Sequence, residues 1–390
     1  MKRGDYDAGQ AMTEREPRQS VETDTKLEGT RQLSEFRMIW IRFKKNYLAV
    51  VSLGIIAIFT IFIFFGDFIA PNSPFEIYDK NTFHPITKVH FVDVQRHFHL
   101  RPFVYATEPI PDEKTWRIIH TEQTDRPFKI KLFTRGWEYK LFGLFKTNVH
   151  LFGPGRGGPV IYLFGADNLG RDIFSRTVYS CRISLSIALL TVIAGSLLGI
   201  LLGGISGYFG GVVDNIIQRV SEFLLSMPTL PLWMVMAAAI PLSWSPPQRY
   251  LSIVGILVFK NWPGFARMIR SKVISLRNED FVLSAVSYGT SSRRIIYRYI
   301  MPNIASIIIV HFTLSLPGAI LAETSLSFLG LGLRSPAVSW GVLLQQAQSF
   351  KTVLVYTWIL IPGIFVVVAI LAFNFVGDGI RDALDPYEKV

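Results

Sequence analysis

Closely spaced glycines in Gly165-Ala166-Asp167-Asn168-Leu169-Gly170-Arg171 are the first residues in this chain that could cradle a phosphate. A phosphate loop, however, closes on Gly-Lys-Ser/Thr, whose lysine and hydroxyl hold the terminal phosphates and the metal. That ending occurs nowhere in the 390 residues. A nucleophile elbow (Gly-x-Ser-x-Gly) and a zinc-binding His-Glu-x-x-His are also missing. His97 and His99 share one side of a strand-like stretch, with His90 nearby, but no cysteine or tight carboxylate cluster accompanies them. Cys181 is the only cysteine, which excludes an intramolecular disulfide, a cysteine zinc site and a redox pair. The most notable acid is Glu323, at the end of a long apolar run where ionisable groups either mark a pathway or reach the headgroups. With Phe328 it forms a candidate gate or pathway pair. No catalytic, cofactor or metal site is expected.

The elements that would position these residues are membrane helices. Half of the chain is hydrophobic, only 18% is charged, and the mean hydropathy is +0.34. The apolar residues gather in runs near the length of about 20 that a helix needs to cross hydrocarbon. Lys and Arg, in excess by 11 charges, flank these runs and form no basic stripe, which argues against nucleic acid. The predicted architecture is an all-α polytopic membrane protein with six spans, at 47–70, 183–205, 220–240, 251–269, 303–322 and 353–375. Residues 1–46 read as a polar cytoplasmic tail without the apolar core of a signal peptide, and 379–390 as a cytoplasmic C-terminus.

Between the first two spans lies a polar stretch far longer than an ordinary loop. Residues 89–100 (VHFVDVQRHFHL) and 128–142 (FKIKLFTRGWEYKLF) alternate apolar and polar residues with the period of half-buried strands. Residues 72–163 are therefore expected to form a β-rich extracytoplasmic subdomain. Arg37, Arg42, Lys44 and Lys45 before the first span place the N-terminus in the cytoplasm. Six crossings return the C-terminus there and leave the 270–301 loop, the most basic short loop, inside as well.

That loop has a pattern of its own. Residues 279–288 (EDFVLSAVSY) read as a short helix with an apolar side, and Gly289 stands where a C-cap needs a left-handed residue. Thr290-Ser291-Ser292 offer N-capping hydroxyls for a second helix carrying Ile295, Ile296 and Tyr299. Pro302 sits where the next span begins. Two short helices at an elbow, with exposed apolar residues, call for a partner.

The spacing Ala285-x3-Gly289, with Pro302 thirteen residues further, resembles the cytoplasmic coupling loop of ATP-binding-cassette importer permeases. The chain is similar in particular to the second-permease subunits of the dipeptide, oligopeptide and nickel importers. The matching stretches are Gly165–Asp172 with Ser175-Arg176, Arg182-Ile183-Ser184, Gly207-Tyr208-Phe209-Gly210-Gly211, Glu323–Gly332, Ser339-Trp340-Gly341, Phe373–Asp378 and Arg381–Pro386. The resemblance implies the type-1 importer permease fold and a coupling loop that includes Ser284, Ala285, Gly289, Arg293, Ile300 and Pro302. It implies a second permease, two ATP-binding subunits that use the ATP, an extracytoplasmic solute-binding protein and a bacterial inner membrane. Peptide is the implied cargo, with nickel or another small solute as the alternative. Where the family usually has Glu-Ala-Ala, this chain has Leu283-Ser284-Ala285, and the 72–163 insertion exceeds the family's usual length. The rival reading is a secondary transporter driven by an ion gradient, which usually shows inverted repeats and ionisable groups at mid-depth. No inverted repeat is visible, and the six runs read as nearly free of charge at mid-depth.

Overall fold

A computed structural model describes residues 35–385 apart from 112–117, 156 and 242. Of the polar tail expected at 1–46, residues 1–34 lie outside it, as do the last five residues of the chain, whereas 35–45 form a helix. Long apolar runs with few interior prolines form long helices here because a helix satisfies its own backbone groups in an apolar medium, and tertiary packing sets their ends. The helices are α1 (Glu35–Lys45), α2 (Tyr47–Ile69), α3 (Ile173–Phe209), α4 (Gly211–Ser226), α5 (Thr229–Ala238), α6 (Pro246–Leu276), α7 (Asp280–Ser287), α8 (Ser292–Arg294), α9 (Met301–Asn303), α10 (Ala305–Phe328), α11 (Trp340–Leu344), α12 (Phe350–Val355) and α13 (Ile361–Leu384). Among the described residues, four helical segments are long and apolar enough to cross a membrane: Tyr47–Ile69, Ile173–Phe209, Ala305–Phe328 and Thr357–Leu384. The α4–α5 pair makes a fifth if its 91° bend is counted as one broken span.

The predicted boundaries differ from these helices in instructive places. The third run, 220–240, is two helices because Pro228 lacks the N–H needed to continue α4. The broken carbonyls of Leu224 and Met227 accept from the Lys260 ammonium, which reaches them from the middle of α6. Lys260 is 8% exposed, so the expectation of nearly uncharged mid-depth helices missed a buried lysine. The last long helix begins at Ile361, not 353, because the chain turns through α12 and a short 3-10 segment before Pro362 enters the first turn of α13.

The most extensive helix–helix contact is between α3 and α6. Gly199, Gly203 and Gly207 lie four residues apart on α3 and so share one face. A Cβ at Gly199 would fall 2.7 Å from the Phe265 ring, and one at Gly207 would fall 2.7 Å from the Arg270 carbonyl. Such a small-residue stripe lets two helix backbones approach closely where no hydrophobic effect drives them together. Gly207 of the matching stretch 207–211 is thus a packing glycine of α3, and the turn after it begins at Gly210 and Gly211, with φ of 66° and 58°.

Among the described residues, five strands occupy part of the segment between α2 and α3: β1 (His90–Val92), β2 (Phe98–Pro111), β3 (Ile118–Lys129), β4 (Lys131–Leu141) and β5 (Phe145–Gly153). β1, β2 and β3 form one antiparallel sheet, and β4 pairs with β5 as a hairpin. The alternating stretch 89–100 is interrupted by a turn at Asp93–Arg96, where Arg96 has φ 64°. His99 contacts Asp93 at 3.0 Å, His97 approaches the same carboxylate at 3.6 Å, and His90 contacts Glu122 at 3.1 Å, so the three histidines are divided between two carboxylates.

Candidate coupling elbow and transport path

α7 is entered from Glu279 and ends on Tyr288, after which Gly289 takes φ 72°. A β-carbon is disfavoured in that region, so the residue type and the turn explain one another. The amides of Gly289 and Thr290 bond back to the Val286 and Ala285 carbonyls. Ser291 occupies the N-cap of α8, but its hydroxyl makes no capping bond. After α8 the chain forms a π-helical segment, Ile295–Ile300, and Pro302 lies in α9, a single turn ahead of α10.

The elbow divides its apolar residues between two surfaces. Val282, Ala285, Ile295, Ile296 and Ile300 are buried in one cluster with Phe265, Ile269 and Val273 of α6. Phe281, Leu283, Val286 and Tyr288 face outward, and Tyr288 is 88% exposed. The sequence reading puts Phe281, Val282, Ala285, Val286 and Tyr288 on one apolar side, whereas the fold buries Val282 and Ala285 and exposes the other three. Ser284, Arg293 and Pro302 are also exposed. The inward half ties the elbow to α6, and through the glycine stripe to α3. Arg270 reinforces that tie, donating from Nε to Asp214 at 2.6 Å, while Ser206 of α3 donates to the same carboxylate at 2.5 Å.

Glu323 is fully buried inside α10. Ser184 of α3 donates to one carboxyl oxygen at 3.1 Å and Ser327 to the other at 2.9 Å. Those hydroxyls in turn accept from the backbone amides of Trp340 and Leu333. The acid thus fastens the 329–340 segment onto α3 and α10. Phe328 closes α10, and its carbonyl accepts from the Gln348 amide.

A cavity of about 360 Å³ lies between α3, α6 and α10, beneath Trp233 of α5, and Glu323 does not line it. Its polar lining comprises Thr191, Ser196, Asn261, His311 and Ser315. The buried Thr191 Oγ1 and Trp233 Nε1 have no hydrogen-bond partner among the described residues. His311 stacks on Phe265 at 3.7 Å, joining the cavity wall to the cluster that holds the elbow. Sequence reading passed over these residues. A lone histidine and scattered small polar residues carry no motif, and only the i, i+4 spacing of His311 and Ser315 on α10 hints at a shared face. No group of three or more His, Cys, Asp or Glu able to hold a metal occurs among the described residues.

Residues 195–389, half of the chain, match the family described as binding-protein-dependent transport system inner membrane component. Residues 34–85 match the N-terminal transmembrane domain of oligopeptide transport permease C. The dipeptide transport system permease protein DppC of Bacillus subtilis is 38% identical over 225 residues, which is 57% of this chain and 68% of that one. The oligopeptide permease protein OppC of the same organism is 35% identical over 57% of this chain and 71% of its own. DppC of Haemophilus influenzae is 36% identical over 60% and 77%. A solved methionine ABC transporter, MetNI, shows only a distant likeness, with a TM-score of 0.40 at 15% identity over 54% of this chain and 97% of that one. The family model spans the C-terminal part of α3, from residue 195, and α4 to α13, and so takes in the elbow, Glu323 and most of the cavity lining; this chain belongs to the binding-protein-dependent transport system inner membrane component family.

Proposed function

We propose that this chain is the second permease of a peptide importer, crossing the bacterial cytoplasmic membrane six times with both termini inside. In this reading α2, α3, the bent α4–α5 pair, α6, α10 and α13 are the spans, and the 72–163 insertion is extracytoplasmic. A homologous permease completes the path, two ATP-binding subunits dock on the elbow, and an external solute-binding protein delivers cargo. The observation that carries the coupling role is the two-sided elbow, with one apolar face locked to α6 and the other exposed. ATP-driven closure of the docked subunits would move the elbow, and its buried face would carry α6 and α3 as a body between two arrangements. Coupling to the transport path follows, because Phe265 belongs to the elbow's cluster and also stacks on His311 in the cavity wall.

Peptide as cargo is supported by the relatives' names and by the lining. Asn261, Ser196, Ser315 and Thr191 offer donors and acceptors of the kind that pair with peptide amides, and the lining contains no acid, Lys or Arg. The test is uptake in a deletion strain complemented with this gene. Labelled oligopeptides are expected to enter only the complemented cells, while labelled nickel enters both equally. Gene-dependent nickel uptake without peptide uptake would overturn the cargo.

A further inference from the structure

β4 and β5 join through Phe142, Gly143 and Leu144, with Phe142 and Gly143 at φ 53° and 73°. The hairpin is held against the C-terminal turns of α2. Phe142 packs on Phe65 at 5.5 Å and Phe64 at 6.4 Å, and Phe133 packs on Phe68 at 6.2 Å. His150 Nδ1 lies 3.1 Å from the Asp67 carbonyl. Phe64 is only about 8 Å along the axis from the helix end at Ile69, given 1.5 Å per residue. The contacts therefore fall at the level where a spanning helix leaves hydrocarbon for headgroups.

At that level the hairpin leaves large apolar side chains uncovered: Leu132 (70%), Phe133 (66%), Leu144 (77%) and Phe145 (66%). Through the Phe142 contacts this surface runs into the outward face of α2, formed by Ile61, Phe64 and Phe65. Lys131, Arg135, Lys140 and Lys146 are exposed on the same two strands, against the single acid Glu138. Aromatic residues beside lysine and arginine are the composition of an element that rests in the interface, with rings among acyl chains and cations at phosphates.

We infer that the β4–β5 hairpin is a lipid-binding element lying in the bilayer interface around the end of α2, and that its occupant is anionic phospholipid. It rests only on α2 crossing the bilayer, so it holds whichever cargo is carried. The hairpin thereby anchors the insertion at the membrane surface and fixes its pose over the bundle.

The test uses the full chain with its partner subunits, in vesicles of phosphatidylethanolamine and phosphatidylglycerol. Single cysteines at Leu144, Phe145 and Thr121, with Cys181→Ser, carry an environment-sensitive nitrobenzoxadiazole probe. Leu144 makes no ring contact and tolerates the label, and Thr121 is an exposed polar position on β3. The probes at 144 and 145 are expected to be blue-shifted, protected from iodide, and quenched several-fold more by shallow spin-labelled lipid than the probe at 121. Replacing phosphatidylglycerol with phosphatidylcholine should weaken that quenching. Iodide access at 144 and 145 equal to that at 121 would overturn the inference. So would protection from iodide and spin-labelled lipid alike, which would mean that protein covers the hairpin.

Discussion

Around Asp167 the chain satisfies most of its own polar groups, whereas around Gly289 it leaves a surface for something else to satisfy. The Asp167 carboxylate accepts from the Leu169 and Arg171 amides, both at 2.9 Å, and from Arg171 Nε at 2.7 Å. Arg176 stands 3.8 Å away, itself 2% exposed and donating to the Pro74 carbonyl. Asp172 caps α3 and also holds Asn72 and Ser175. These bonds join the chain after α2 to the start of α3, and nothing outside the chain is needed to complete them. Gly289 is equally fixed in conformation, but its neighbours Phe281, Leu283 and Tyr288 point away from the protein. Matching the family's motifs therefore covers two different physical roles: one motif closes the fold and the other presents a surface. Substitutions should separate the roles, since damage at the first appears as lost stability and damage at the second as lost assembly.

The largest effect is expected for Asp167→Ala. Removing one partner from a buried ion pair leaves uncompensated charge, a loss of roughly 3–5 kcal/mol. Arg171 and Arg176, 8% and 2% exposed, would both lose their carboxylate. Membrane accumulation should fall sharply, and thermal unfolding in detergent should move to lower temperature. Normal accumulation with an unchanged melt would show that these bonds are dispensable and would break the comparison.

A second measurement sharpens it through pH. His84 is 2% exposed, with Nδ1 2.6 Å from the Pro85 carbonyl and Nε2 2.7 Å from Thr107 Oγ1. Burial holds its pKa down at about 4, with a smaller opposing contribution from the Pro85 carbonyl. The ordinary value applies when the chain is unfolded, so the unfolded state binds the extra proton between about pH 6.5 and 4. Stability contributed by neutral His84 is therefore complete above pH 6.5 and declines as pH falls to about 4, by roughly 3 kcal/mol. His120, its ring 4.3 Å away, is shifted in the same direction by burial and should add to the slope. Melts of the parent and of His84→Gln across this range should differ in slope, the variant being flatter. Equal slopes would remove His84 as the cause.

How far the sequence disclosed this arrangement depended on whether the signal was local. Apolar runs located α2, α3 and α10, and the spacing of Ala285, Gly289 and Pro302 located the elbow, because helices and their caps are written in neighbouring residues. The inward turn of Val282 and the outward turn of Tyr288 could not be read, since α6 decides which face is covered. Gly207 was legible as a small residue but not as a contact, because its role depends on Arg270 and Val273 sixty residues away. Lys260 was obscured by the apolar run around it, and its purpose lies in carbonyls freed by a proline on another helix. β3 and β5 escaped because their alternation is weak, and their registers are set by partners across the sheet.

The smallest expected change in stability, and the sharpest on assembly, comes from Gly289→Val. At φ 72° a β-branched residue is strained by about 1–3 kcal/mol, yet a Cβ placed there meets no neighbouring atom within 4 Å. The strain is thus one of backbone alone, and it can relax by reorienting α7 against α8 without disturbing the α3–α6 contact. The packed helical bundle should tolerate that loss, so the variant should insert and accumulate like the parent. A reoriented α7 would misplace Phe281, Leu283 and Tyr288, the side chains available for docking. Co-purification of the ATP-binding subunits should therefore weaken, and peptide uptake should fall with it. Tyr288→Ser provides the companion measurement: the ring is 88% exposed, so its removal should shift the melt very little while still weakening docking. If both variants retain their ATP-binding subunits and parental uptake, the exposed face of the elbow is not where those subunits bind. If Gly289→Val instead fails to accumulate while Tyr288→Ser behaves as the parent, the elbow belongs with Asp167 among the parts that close the fold.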